Sequence, residues 1–204
     1  LQFGELNITP RVEERLRELD FTVPELQDAI DEHKSPCDGE PSVYCGTYGK
    51  YNDGSLCGLW IDLRSFDDYD EFINFCKAIH ADEDDPELMF QDYEGFPRQW
   101  YGESGFDEDD FDHIKEYCEL CDKYNQDAVD DYMEFHDELD SFEEAYCGNW
   151  DSEEDFARHI VEECYDLDRI MGNLSNYFDY EAFGRDLFMY DYSMGANNNV
   201  FRVV

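Results

Sequence analysis

Lysine and arginine are scarce in this sequence. The 204 residues contain 14 of them against 54 aspartates and glutamates, which gives a formal net charge of −40 at pH 7. Such a charge repels nucleic acids and anionic membranes, so we exclude both as partners and expect any charged partner to be basic. Residues 82–171 hold 33 of the acids and 5 of the basic residues. The negative charge is therefore concentrated in one region of the chain.

Long apolar runs are also missing. No stretch approaches the ~20 apolar residues of a membrane helix, and the first residues lack the basic and apolar segments of a secretory signal. The eight cysteines therefore indicate reduced, partly buried thiols rather than a disulfide framework. We expect a cytoplasmic protein.

Common catalytic and metal-binding motifs are absent too. There is no P-loop, dinucleotide fingerprint or nucleophile elbow. The stretch DEDDFD places Phe111 where a calcium loop needs a ligand, and it lacks the glycine of that loop. Cys118 and Cys121 form a single C-x-x-C without the second pair of a zinc site, so we interpret them as core residues. We predict no enzyme activity, no metal and no cofactor.

Aromatic residues, in contrast, make up 17% of the chain. Acidic disordered chains are usually poor in aromatics. Because this chain is rich in them, it has enough apolar surface to bury in a folded core. The patterns predict an α/β chain of the α+β type with antiparallel strands. Helices are predicted to start at Thr9-Pro10 and at the Thr22/Glu25 capping box. Further elements are a strand pair in residues 42–63 with a turn at 49–55, a helix at 67–80, a strand at 88–93, a helix at 126–139, a helix at 174–183, and strands at 186–194 and 200–204.

Composition shifts divide the chain into four segments. Residues 35–42, SPCDGEPS, have the composition of a linker, and EGFPRQWYGESG interrupts the periodicity near residue 98. The predicted segments are an N-terminal helical extension with its linker (1–42), a strand-turn-strand plus helix domain (43–97), an acidic helical domain (98–146) and a C-terminal α+β domain (147–204).

The acidic helices separate their side chains by face. In residues 126–139, helical periodicity places Val129 and Tyr132 on one face and the acids on the other. Six acids there span roughly 16 Å at ~1.5 Å rise per residue, close to the ~3.4 Å phosphate spacing of a DNA strand. The predicted charged surface contains Asp107, Glu108, Asp109, Asp110, Asp112, Glu116, Glu119, Asp127, Asp130, Asp131, Glu134, Asp137, Glu138, Glu153, Glu154 and Asp155.

The plain alternative is a solvated, salt-tolerant surface. Like charges four residues apart destabilise a helix by about 0.2–0.5 kcal/mol per pair. Their confinement to one region with few interspersed basic residues favours a functional use of the charge.

Two segments resemble the ArdA antirestriction family. VYCGTYGKYNDGSLCGLWIDL (residues 43–63) is similar to its N-terminal strand-turn-strand, and LSNYFDYEAFGRDL (residues 174–187) resembles its antirestriction motif. The resemblance covers residues 43–204 and leaves the extension outside.

This resemblance implies a protein of mobile genetic elements with an elongated, curved chain of three small domains. It also implies a homodimer that imitates bent DNA in the methyltransferase core of type I restriction-modification enzymes, without catalysis or cofactor. Two chains at −40 carry the charge of about 40 base pairs.

The motif segment has little net charge and many aromatics, which suits a subunit contact better than a mimic of phosphates. We therefore assign to dimerisation the residues Leu174, Tyr177, Phe178, Tyr180, Phe183, Gly184, Arg185, Asp186 and Leu187. Two other functions stay open from the residues alone, namely an acidic decoy for another basic DNA-binding protein and an acidic chaperone of basic proteins.

Overall fold

A computed structural model describes residues 8–35 and 39–203. The chain forms two compact units, one up to Cys118 and one from Glu119 onward. Both combine helices with a small antiparallel sheet, so the predicted α+β class is confirmed. The proposed division at residues 42, 97 and 146 remains a prediction, and residues 36–38 of the predicted linker lie outside the described part.

The N-terminal extension contributes two helices to the first unit. Helix α1 (Pro10–Glu18) begins where predicted, because the Thr9 side chain accepts a hydrogen bond from the Val12 amide. Helix α2 (Val23–His33) begins with the predicted capping box between Thr22 and Glu25. The inner faces of both helices are buried, through Val12, Leu16, Leu26, Ile30 and His33.

The sheet of the first unit has the strand order β2-β1-β3, and both pairs are antiparallel. Its strands are β1 (Ser42–Thr47), β2 (Leu59–Asp62) and β3 (Leu88–Glu94). Lys34 forms an antiparallel bridge with Ile61, and the Ser35 amide donates to the Trp60 carbonyl. The extension therefore pairs with the outer edge of β2.

Residues 49–55 differ from the predicted turn. They begin within a short helix α3 (Tyr48–Asn52), and only Gly54 takes the left-handed conformation expected of the turn. The helix forms because the Thr47 hydroxyl accepts from the Lys50 amide. Helix α4 (Tyr69–Ala78) then follows with its N-cap at Asp68, and α5 (Glu108–Tyr124) contains the border between the units.

The second unit has a sheet of order β4-β6-β5. Its strands are β4 (Tyr146–Asn149), β5 (Tyr192–Met194) and β6 (Asn199–Arg202). The helices of this unit after α5 are α6 (Gln126–Met133), α7 (Phe142–Ala145), α8 (Glu153–Cys164), α9 (Leu167–Met171) and α10 (Tyr180–Tyr190). Helices α8 and α10 pack against each other.

Helix α6 is shorter than the helix predicted over residues 126–139. The helix ends at Met133, and turns follow before α7. This path buries Leu139 and Phe142 in the core, and the Phe142 ring contacts the Tyr132 ring. The helical face computed from the sequence therefore holds for Val129 and Tyr132 but does not describe the acids beyond residue 133.

Two of the C-terminal elements, the helix at 174–183 and the strand at 186–194, were predicted at the wrong positions. Residues 172–177 form a 3-10 helix instead of an α-helix, and α10 starts only after Asp179, whose side chain accepts from the Ala182 amide. Helix α10 continues to Tyr190, so most of the strand predicted at 186–194 is helical and only β5 remains. The final strand of the chain is confirmed as β6.

Candidate functional site

The start of α5 carries a dense group of carboxylates in the first unit. Asp107 and Asp110 each accept a hydrogen bond from the other's backbone amide, at 3.0 and 3.3 Å. The opposite face is apolar, and Phe111 and Ile114 are fully buried. The helix therefore separates core and charge as the sequence predicted. The predicted surface acids of this unit are exposed at Asp107, Glu108, Asp109 and Asp112 and half-buried at Asp110 and Glu116.

Asp131 on α6 is a correction to the predicted charged surface. Only 1% of this residue is exposed, and its carboxylate accepts hydrogen bonds from the turn between β5 and β6. The donors are the amides of Asn197 and Asn199 and both of their side chains, at 2.7–3.2 Å. Gly195 passes so close that a Cβ there would collide with Asp131. This acid is a structural anchor and no part of an outer surface.

The other predicted acids of the second unit lie outside the core. Glu154 is half-buried and pairs with Arg158 at 3.0 Å. Asp155 accepts from the hydroxyl of Ser152, which caps α8. The exposed members of the set are Glu119, Asp127, Asp130, Glu134, Asp137, Glu138, Glu153 and Asp155. Of the sixteen predicted acids, only Asp131 is buried.

The residues of the motif segment divide into a packed group and an exposed group. Phe178 contacts Tyr180 and Phe183, and the Arg158 guanidinium lies 4.1 Å from the centre of the Tyr180 ring. Gly184 is buried where α10 approaches α8. A Cβ at this position would lie 2.8 Å from the Glu153 carbonyl oxygen, which explains the requirement for glycine. Leu187 is half-buried, and Arg185, Asp186, Leu174 and Tyr177 are exposed.

Exposed apolar residues occur in and around this motif, and the sequence analysis named only Leu174 and Tyr177 among them. Tyr177 is 82% exposed, Tyr190 is 77% exposed and Leu174 is 61% exposed. The others in the same stretch are Tyr165, Ile170 and Met189. We call these six residues the apolar group. The sequence pattern gives no signal for the other four, since an apolar residue normally predicts burial until the packed face of each helix is known.

The acidic loop at residues 82–87 of the first unit was not part of the predicted surface. Lys50 Nζ lies 2.8 Å from Asp82 Oδ1 and 3.5 Å from Glu83 Oε1. On the same loop, Asp84 pairs with both Arg11 and Arg15 of the extension. Cations from three sites of the chain thus neutralise these acids.

His80, Asp82 and Glu83 are the one group in the described residues with ligand atoms close enough together for a metal ion. The Lys50 ammonium already contacts all three, with its nitrogen 2.9 Å from His80 Nδ1. A lysine cation therefore occupies the place where a metal would bind.

Cys118 is buried and Cys121 is half-buried, as expected for residues of the core face.

Comparison with known proteins gives the family. No helix in the described residues combines the length and apolar character needed to cross a membrane. A search of curated proteins finds no match. The family model described as antirestriction protein (ArdA) matches residues 43–202, which is most of the chain and includes both quoted motifs. The chain therefore belongs to the ArdA family of antirestriction proteins.

Proposed function

We propose that this protein inhibits type I restriction-modification enzymes by imitating DNA. Its carboxylates take the place of phosphates in the DNA groove of the methyltransferase core, so that both restriction and modification of incoming DNA are blocked. Inhibition by occupancy makes and breaks no covalent bond, and it needs neither catalytic residues nor a cofactor. The proposed target places the protein in the cytoplasm.

The observation that carries this proposal is the outward position of the acids. Twelve of the sixteen predicted surface acids are exposed and three are half-buried. Since residues 82–171 contain 33 acids and 5 basic residues, few cations of the chain itself can neutralise them. A groove lined with lysine and arginine would meet carboxylates in place of phosphates, and counterion release would drive association.

The homodimer is a second part of the proposal. The apolar group lies in and around the family motif in the sequence. Its members Leu174, Tyr177 and Tyr190 are largely exposed to water. Large apolar side chains exposed at several positions of one segment are a feature of protein contact surfaces. We propose that a second copy of the chain covers it, in line with the dimer implied by the family.

The dimer is tested by placing a charge in the apolar group. Tyr177→Asp should shift the mass measured by light scattering from dimer to monomer. Tyr51→Asp is the matched control, because Tyr51 is 49% exposed but lies in the first unit. A folded Tyr177→Asp protein that stays dimeric would remove the motif segment from the interface.

The inhibitory function is tested by displacement of labelled duplex DNA from a purified type I methyltransferase. Stoichiometric displacement that weakens steeply with added salt is the expected result. Displacement of DNA from an unrelated basic DNA-binding protein, but not from this enzyme, would favour a decoy for another target. Weak binding to every basic protein tried would favour an acidic chaperone.

A further inference from the structure

One large apolar side chain of the second unit is exposed among acids, outside the apolar group. The structure describes residues 57–164 throughout, and among their large apolar side chains only Phe135 is exposed, at 48%. The others in this range are buried or half-buried. Single exposed apolar residues are common on protein surfaces, so the surroundings of Phe135 decide whether its exposure has a use.

Phe135 lies in the turn that follows α6, and the core holds both sides of this turn. The amides of Phe135 and His136 donate to the Tyr132 carbonyl, at 3.1 and 3.2 Å. The ring of His136 stacks on the ring of Tyr132, with 4.2 Å between the ring centres. On the two sides of the turn, Tyr132 is 1% exposed and Leu139 is 2% exposed. The exposed ring is therefore presented by a backbone that is fixed at both ends.

Carboxylates surround Phe135 in the sequence. Glu134 precedes it, Asp137 and Glu138 follow within three residues, and all three acids are exposed. No lysine or arginine occurs in residues 124–157. An aromatic ring inside a rim of carboxylates complements an apolar pocket that has lysines and arginines at its mouth, because a buried anchor and a charged rim contribute to binding in different ways.

A DNA methyltransferase has a pocket of this chemistry. Enzymes that modify a base rotate it out of the duplex into a pocket, where aromatic or apolar side chains stack on its ring. Contacts to the phosphates of the DNA position the strand. A mimic that offered carboxylates alone would match the phosphates but leave this pocket without an occupant.

We propose that Phe135 takes the place of the flipped base and enters the target-base pocket of the methyltransferase. The inference rests on the proposed function, since it assigns one contact within the DNA groove of that enzyme. The acids next to Phe135 then stand in for the phosphates that flank the flipped nucleotide. The phenyl ring can stack as a base does, but it has no nitrogen to accept a methyl group, so the pocket is filled without a reaction.

The test is displacement of labelled duplex DNA from a type I methyltransferase at several salt concentrations. Phe135→Ala should weaken binding by about ten-fold or more at every salt concentration. The slope of log affinity against log salt should stay unchanged, because no charge is removed. Tyr51→Ala is the matched control, since Tyr51 is 49% exposed but lies in the first unit. It should bind like the wild type, and melting temperatures show that each variant is folded.

Two further variants test whether the pocket recognises a ring. Phe135→Tyr keeps a planar ring and should retain most of the affinity. Phe135→Leu keeps apolar area without the ring and should bind almost as weakly as Phe135→Ala, because stacking in the base pocket needs a flat surface. If Phe135→Leu binds like the wild type, the side chain enters an apolar site other than the base pocket, and the proposal is overturned.

The proposed function and this inference fail in different ways. No displacement of DNA by the wild type would overturn both. Displacement with equal affinity by the wild type and Phe135→Ala would overturn the inference alone. Weaker binding of Phe135→Ala with a shallower salt slope would also overturn it, because Phe135 would then act only by holding the neighbouring acids in position.

Discussion

Two acidic regions of this protein use their carboxylates in different ways. In the loop at residues 82–87, Lys50 neutralises Asp82 and Glu83, and arginines of the extension neutralise Asp84. In the helices from α5 to α8, most acids point into water. The comparison shows that the number of acids in a segment does not reveal their role. The cations and amides within reach decide whether an acid stabilises the fold or remains available to a partner.

Asp131 gives the strongest test of this comparison, because it is an internal acid within the second region. Asp131→Asn places an amide among four N–H donors and should lower the free energy of unfolding by about 3 kcal/mol. Denaturant titration with a probe in the second unit measures the loss. Glu134→Gln, an exposed acid at the end of the same helix, is the control. Equal stability of the two variants would mean that the turn between β5 and β6 holds without Asp131.

Lys50 tests the neutralised loop. Lys50→Met keeps the aliphatic stem but removes the charge shared by Asp82 and Glu83, so the free energy of unfolding should fall by about 1–2 kcal/mol. Thermal unfolding at low salt checks this. Arg17→Met removes only the solvent-exposed pair with Glu13 and should give no measurable loss. If Lys50→Met is as stable as the wild type, the loop tolerates the repulsion between the carboxylates of Asp82 and Glu83.

His33 of the extension adds a smaller, pH-dependent effect. It stacks on Phe66 at 4.1 Å and hydrogen-bonds to Ser65, and burial lowers its pKa against the opposing charges of Glu32, Glu71 and Asp62. Because the unfolded chain then binds the proton more readily, stability should fall as the pH drops below the ordinary value of about 6.5. The loss should end below the lowered pKa of the folded protein.

The measurement for His33 is the melting temperature between pH 7.5 and pH 5. In His33→Gln the melting temperature should lose the part of its pH dependence that comes from His33, while the part that comes from the carboxylates stays. The same curve for wild type and variant would show that His33 does not titrate on unfolding in this range.

The smallest change in stability is expected for the exposed acids. Glu134→Gln combined with Asp137→Asn should alter the free energy of unfolding by no more than about 0.5 kcal/mol. The salt dependence of methyltransferase binding should nevertheless become shallower, because fewer counterions of the acidic protein are released. Unchanged binding at every salt concentration would place these two acids outside the interface.

The sequence predicted helix caps, strands and buried faces better than the positions at which helices begin and end. The caps at Thr9 and Thr22, the three strands of the first sheet and the buried face of α5 follow from patterns within a few residues. The end of α6 at Met133 and the start of α10 after Asp179 depend on tertiary packing, so periodicity placed them wrongly. The burial of Asp131 also escaped prediction, since its donors come from residues 197 and 199, which are distant in the chain.

The extension has a practical consequence for the choice of fragments. The family match begins at residue 43, but Lys34 and Ser35 pair with β2, and Leu16 and His33 are buried. A protein cut at residue 43 would present an uncovered strand edge beside newly exposed apolar side chains, which is a common origin of aggregation. We therefore expect the boundary of independent folding to lie before the boundary of family homology, and expression of the homologous part alone should give insoluble material.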